Sequence, residues 1–341
     1  MSIELHERLY SRTMQLCRIR VVHAALVTCI AAFGAACSEA PPAALLAAHV
    51  LDAVVSYPSS AAYDARADVL LVGSYSDGSI QRVQTARGAS RTAALPLDGR
   101  EHVLRIRLDA KGKRIWVLAS DALMVYDADT LLLSRRIPID ALTQHSSEHC
   151  LPDMALDRLG NVLISSAMQA SLIHVDAQSF AVTQHDLQVD ADQDKDFGFS
   201  ALAFAGRDNT LYAASATTGA LWKIDLVQNR ATKLALSQPL YGACALREMA
   251  AVTSDARAAS TVLYVAGGFR DGIKRIELAG TEPPYRVSSV HTARAPIVPT
   301  DFVEIDRKLM MVSSQLSHYP EFNGDGRPAV PFRIVAIPAA H

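Results

Sequence analysis

The chain has no excess of either charge: 33 lysines and arginines stand against 35 aspartates and glutamates. That balance leaves no electrostatic footprint for a polyanion and argues against nucleic acid as a partner. Runs of charge are short and mixed in sign, the pattern of a solvated surface. No Gly-x-Ser-x-Gly elbow, phosphate loop or dinucleotide fingerprint occurs, so the chemistries built on those elements are not signalled. Beyond the N-terminal region no long stretch repeats apolar residues at the helical period of 3.6. What the chain does have is apolar content. Half of its 341 residues are hydrophobic and 20% are charged, enough to bury a large core in one domain or two average ones.

The first forty residues differ from the rest. Arg18 and Arg20 precede an uncharged stretch, Val21 to Ala36, after which come Cys37, Ser38, Glu39 and Pro41-Pro42. A basic segment, an apolar segment and then small residues form the tripartite layout of a secretory signal. The apolar part is shorter than the roughly 20 residues a membrane-spanning helix needs, which favours a cleaved signal over an anchor helix. Gly34-Ala35-Ala36 before Cys37 resembles the lipobox of bacterial lipoproteins, whose cysteine is lipidated and becomes the mature N-terminus. Gly34 stands where those proteins prefer Leu, and ordinary cleavage near Ala36 or after Ala40 stays open. Glu4 and Glu7 do not suit an export signal, whereas a start at Met14 gives a compact one. The expected organisation is a signal over 1–37, a linker over 38–49 and a folded domain over 50–341. That places the protein outside the cytoplasm, in the periplasm or held to a membrane of the bacterial envelope by a lipid on Cys37.

From residue 50 onward a unit repeats: a short apolar strand, a turn rich in Asp, Gly, Lys or Arg, a second strand, a third often ending in an acid, and a fourth leading onward. Leu104 to Asp109, Ala110-Lys111-Gly112-Lys113, Ile115 to Ala119 and Leu123 to Asp127 show one copy. First strands are expected near residues 61, 104, 153, 200, 244 and 300, about 43 to 56 apart, close to the period of four-stranded propeller blades. The sequence therefore predicts an all-β fold, a six-bladed β-propeller of four-stranded antiparallel blades. The chain ends soon after Phe332 to Ile337, so Val50 to Ser56 is expected to supply the outer strand of the last blade. Residues 314–331 read as a polar loop. Trp116, Trp222, Tyr126, Tyr212 and Tyr264 read as packing between blades.

The wording of the repeats resembles the senescence marker protein / gluconolactonase / luciferin-regenerating enzyme family of six-bladed propellers. The resemblance covers most of residues 54–338. It is carried by Tyr63-Asp64-Ala65-Arg66, the run Val72 to Ile80, Pro152 to Asp157, Pro299-Thr300-Asp301-Phe302 and Val312-Ser313-Ser314-Gln315. It implies a site at the channel mouth where the inner strands begin. In the enzymes of the family a divalent cation there polarises a lactone carbonyl and lowers the pKa of a water. The ligand positions are mostly not matched: Ser59, Leu104, Ser200 and Ala243 stand where oxygen ligands are expected, and only Asp153 fits. This divergence sets two readings side by side. One is an envelope propeller that binds a small molecule or an envelope protein without metal-dependent lactonase chemistry. The alternative is a lactone or ester hydrolase with a rebuilt site.

Candidate ligand-binding residues at that mouth are Ser59, Arg105, His149, Asp153, Ser200 and Asp301. Arg105 stands out because a charge on an inner strand is costly unless it faces the channel or a partner. Glu148, His149 and Asp153 are weak candidates for holding Ca²⁺ or Zn²⁺, in a spacing that matches no recognised metal signature. Asp190, Asp192, Asp194 and Asp196 read as a solvated acidic loop, and Asn323-Gly324-Asp325-Gly326 as a turn. Cys150 and Cys244 belong to blades three and five, where a bridge needs Cα atoms within about 7 Å, so two buried thiols are expected.

Overall fold

The computed structural model describes residues 46–51, 57–85, 90–91, 102–109, 113–139, 151–189, 198–249, 261–267, 272–278, 282–292 and 298–338. They form six small sheets arranged as a six-bladed β-propeller. The inner strands are Pro58–Asp64, Val103–Leu108, Met154–Leu156, Ala201–Ala205, Ala245–Glu248 and Asp301–Ile305. These fall within three residues of the expected starts. Each blade continues outward through antiparallel neighbours. Blade two, for example, runs Val103–Leu108, Arg114–Ala119, Ala122–Asp127 and Leu133–Pro138. Blade four carries a fifth, short strand, Gln188–Val189, paired parallel to its outer edge. Among the described residues no helix is long and apolar enough to cross a membrane.

The strand chemistry follows from position in the ring. A middle strand has a neighbouring blade on each face, so both faces are covered and the sequence runs apolar without alternation. Val69–Ser74 is buried at every residue. The outer strand Leu133–Pro138 has one buried residue, Ile137, and its serine and arginines face solvent. The aromatic residues at the interfaces behave as expected. Trp222 is fully buried among Ala155, Leu163 and Leu172 of blade three and the strands of blade four, and meets Phe199 edge-on at 6.4 Å.

The acid that closes many third strands has a definite task. Asp127 Oδ1 accepts the backbone N–H groups of Asp129 at 3.1 Å and Thr130 at 2.7 Å. Asp176 does the same for Gln178 and Ser179, and Asp225 for Val227 and Gln228. An Asp side chain that caps its own turn replaces backbone partners and fixes the hairpin. The N–H of Thr130 and that of Ser179 accordingly hold the Asp127 and Asp176 carboxyls below the usual carboxylate range.

The ring closes between the ends of the chain. Leu46–Val50 is the outer strand of blade six and pairs antiparallel with Arg333–Pro338, from Leu46 opposite Ala336 to Val50 opposite Arg333. The closing strand thus lies earlier than the expected Val50 to Ser56, whose residues 52–56 fall outside the described ones. Residues 314–331 are also more than a polar loop. They contain two 3₁₀ turns, Leu316–His318 and Pro320–Phe322, and Tyr319 and Phe322 pack against the core that contains Tyr57 and Tyr75.

Close approach between blades makes Gly198 irreplaceable. A Cβ there would lie 2.1 Å from the backbone carbon of Ala167, while the next residue holds the same segment through Phe199 N–H to Ser166 O at 2.7 Å. Backbone cannot yield as a flexible side chain can. Gly198→Ala is expected to destabilise the fold by about 1–3 kcal/mol, read as a lower urea midpoint with an unchanged slope.

Candidate functional site: an arginine–aspartate network in the channel

The inner strands bring three arginines and two aspartates together along the channel. Arg105 and Arg107 lie two apart on the inner strand of blade two, hence on one face. Asp153 enters blade three, Arg247 sits on blade five and Asp301 opens blade six. Asp153 and Asp301 are fully buried and Arg105 is 1% exposed. Asp153 Oδ1 accepts from Arg105 Nε at 3.1 Å, Arg107 Nη2 at 2.6 Å and Met154 N–H at 2.8 Å. Its Oδ2 accepts from Leu202 N–H at 3.0 Å and Arg247 Nη1 at 3.1 Å. Asp301 Oδ1 takes Arg247 Nη2 at 2.6 Å and Phe302 N–H at 2.9 Å. Its Oδ2 takes Ser60 Oγ at 2.6 Å and Arg107 Nη1 at 3.4 Å. Arg105 also donates to the carbonyls of Leu104, Leu151 and Cys244.

The network touches every blade, through Ser60 in the first and Leu202 in the fourth. It also repeats itself three blades further round. Ser59 Oγ donates to Val103 O at 2.5 Å and Ser200 Oγ to Ala243 O at 2.5 Å. Asp301 accepts from Ala61 N–H at 3.4 Å as Asp153 does from Leu202 N–H. Arg107 and Arg247 each bridge both aspartates and each donate to the carbonyl one residue before. Arg105 breaks this two-fold pattern, since Ala245 holds the matching position in blade five. Burial pushes the Arg107 guanidinium down, but Asp301 and Asp153 together raise it above its ordinary value.

Of the residues expected to face a ligand, Arg105, Asp153 and Asp301 belong to this network, whereas the hydroxyls of Ser59 and Ser200 bond only to backbone. His149 and Glu148 lie outside the described residues, as do Cys37, Cys150 and the Asp190–Asp196 loop. A divalent cation does not fit at Asp153. Five N–H donors already occupy its two oxygens, and three guanidinium groups within 3.1 Å would repel a second positive charge. Among the described residues no group of three or more His, Cys, Asp and Glu converges on one point.

The expectation of two buried thiols is corrected for Cys244, which is disulfide-bonded. Its partner lies outside the described residues. Arg105 Nη2 reaches both Leu151 O at 3.0 Å and Cys244 O at 2.8 Å. Blades three and five are not adjacent, yet their backbones converge at the channel.

At the face where the inner strands begin, an aromatic cluster fixes the 3₁₀ segment. Tyr75 stacks on His102 with ring centres 4.2 Å apart and planes 6° from parallel. Tyr319 meets Tyr57 at 4.8 Å and Tyr75 at 5.2 Å, both edge-on. Tyr75 donates its hydroxyl to Glu321 at 3.1 Å, and His102 Nε2 lies 3.4 Å from the same carboxylate. The Asn323–Gly326 stretch is the turn it was expected to be, with Asp325 held by His318 Nδ1 at 2.7 Å.

At the opposite face, where the inner strands end, a cavity of about 270 Å³ opens over the network. Ala61, Tyr63, Arg107, Arg247, Phe302 and Glu304 are among its lining residues. Arg107 and Arg247 are 12% and 18% exposed, so the network reaches solvent here.

No family model matches the chain, and no curated protein matches it. Solved structures do resemble it. The major allergen Mala s 1 of Malassezia sympodialis shares 14% identity over 82% of this chain and 92% of that one, with a TM-score of 0.56. Regucalcin of Agrobacterium tumefaciens, described as a calcium-binding protein, shares 13% over 86% and 95%, with a TM-score of 0.55. A chain of the mitotic checkpoint complex shares 11% over 87% and 97%, at 0.53. At these identities the likeness shows the fold alone.

Arg107 and Arg247 were not singled out from sequence. A signal existed for the first, because Arg105-Ile106-Arg107 places two charges on one face of an otherwise apolar strand. Arg247, next to Glu248 at a strand end, looks like an ordinary exposed pair.

Two measurements follow. Asp153→Ala leaves three buried or half-buried guanidinium groups short of an acceptor, and breaking such a pair costs about 3–5 kcal/mol. Urea unfolding is expected to show that loss, whereas Asp129→Ala at an exposed turn stays within roughly 0.5 kcal/mol. The second is alkaline titration. Burial first, and then Asp325 for Tyr57 and Glu321 for Tyr75 and Tyr319, raises all three phenols above their ordinary value. The neutral phenol is the form the fold holds, and the unfolded chain ionises near pH 10. The stability these residues contribute is thus complete below about pH 10 and lost as pH rises toward the folded values. Ultraviolet titration should show these tyrosines ionising late, together with unfolding.

Proposed function

We propose that this chain is an exported cell-envelope β-propeller that binds a small ligand or a protein partner at a mouth of its channel, without metal-dependent lactonase chemistry. One observation carries the second half of that reading: the carboxylate of Asp153, at the family's cation position, is filled by five N–H donors. A general base or metal ligand needs a free lone pair, and this oxygen pair has none to give. Export rests on the segment from Arg18 to Cys37, and anchoring on a lipid at Cys37.

What remains for function is the channel's two mouths. Propellers use these concave ends to meet ligands because the loops there are held by a rigid ring. The test is metal analysis of the purified protein, combined with a screen of lactones and aryl esters. The expected result is less than stoichiometric metal and no turnover above the uncatalysed rate. One metal per chain, with hydrolysis that stops on chelation and returns on re-addition, establishes the hydrolase alternative instead.

A further inference from the structure

Resting on that binding reading, we infer that the cavity at the strand-end mouth takes a small zwitterion with an apolar body, an α-amino acid of the leucine or phenylalanine class. The cavity has a cationic floor and an acidic rim. Three guanidinium groups face two carboxylates in the network below it, which leaves one positive charge in excess. That excess is directional. Arg247 uses Nη1 for Asp153 and Leu246 O, and one proton of Nη2 for Asp301. Its Nε and its second Nη2 proton have no acceptor among the described residues. Arg107 likewise keeps one Nη2 proton beyond its bond to Asp153. Both side chains line the cavity and reach solvent.

An Nε and an Nη proton on one guanidinium are the fork that a carboxylate meets with two parallel bonds. The partner that satisfies Arg247 is therefore an anion with two oxygens, and it enters from the cavity side. A plain anion would then face the rim, where Glu248 and Glu304 also line the wall. Glu248 Oε1 is held by Gly206 N–H at 2.7 Å. Glu304 is exposed at the edge and has no partner among the described residues. Its carboxylate repels a simple anion and attracts an ammonium group beside it. Floor and rim together select a molecule carrying both charges. The remaining wall is apolar, formed by Ala61, Ala62, Phe302 and Met249 with the ring of Tyr63, which suits an aliphatic or aromatic side chain. A volume of about 270 Å³ lies just below the ordinary range for ligand pockets of about 300–1,000 Å³, and limits the occupant to this size.

The test uses the full chain and three probes in isothermal titration: L-phenylalanine, phenethylamine, which lacks the carboxylate, and 3-phenylpropanoate, which lacks the amine. L-Phenylalanine is expected to bind one per chain, and each half-ligand roughly tenfold more weakly or worse. Glu304→Gln lies outside the network and leaves the fold intact. It should bring L-phenylalanine down to the affinity of 3-phenylpropanoate while sparing the latter. Arg247→Gln should abolish binding of both, with the urea midpoint measured alongside to separate unfolding from a lost contact. Equal binding of the half-ligands, indifference to Glu304→Gln, or no saturable binding of L-phenylalanine overturns the assignment. If metal and hydrolysis are absent as well, the wider binding reading still stands; if they are present, that reading falls too.

Discussion

Everything else in this propeller depends on how five buried or half-buried charges are satisfied. Three arginines and two aspartates taken out of water are costly unless each finds oriented partners, and here the partners come from all six blades. Desolvation of a carboxylate costs several kcal/mol, so such a network is weak as a source of stability. Its partners come from all six inner strands, so both carboxylates are satisfied only when those strands stand together. The apolar faces between blades supply the driving force, and the network sets the register in which they close.

The same constraint decides what the channel can do. The arginines around Asp153, with the N–H groups of Met154 and Leu202, leave its oxygens no vacant lone pair. The two-fold repeat of Ser59 with Ser200, Arg107 with Arg247 and Asp153 with Asp301 builds the same bonding into both halves of the ring. Arg105 is the addition that breaks the symmetry, tying blade two to the backbones of Leu151 and Cys244 where non-adjacent blades converge.

Much of the fold was legible in the sequence, and for physical reasons. Strands with both faces covered write long apolar runs, such as Val69 to Val72, and hairpins that need an Asx turn write Asp127, Asp176 and Asp225 at a recurring place. The site was legible only by position. Ser59, Asp153, Ser200 and Asp301 could be found from where inner strands begin, but whether an Asp faces a ligand or an arginine depends on residues nearly a hundred positions away. Arg247 is one of these, and nothing in its neighbours Leu246 and Glu248 marks it. The disulfide at Cys244 was missed as well, since nothing in its neighbours Ala243 and Ala245 marks it. The docking of Tyr319 and Phe322 was hidden within a run of polar and proline residues.

Whether Asp153 and Asp301 fix the arginines inside the channel can be read by arginine-selective ¹⁵N NMR. Nε–H of Arg105 and Arg107 donate to Asp153 and to Met154 O, at 3.1 and 2.9 Å, whereas Arg247 Nε has no acceptor among the described residues and its side chain is 18% exposed. Two slowly exchanging Nε–H signals are expected, shifted from the exposed envelope and assigned by loss in single Arg→Lys variants, with Arg247 exchanging fast. If all three exchange at the rate of solvent-exposed arginines, the channel is open, the network is not formed, and the carboxylate of Asp153 is free for other chemistry.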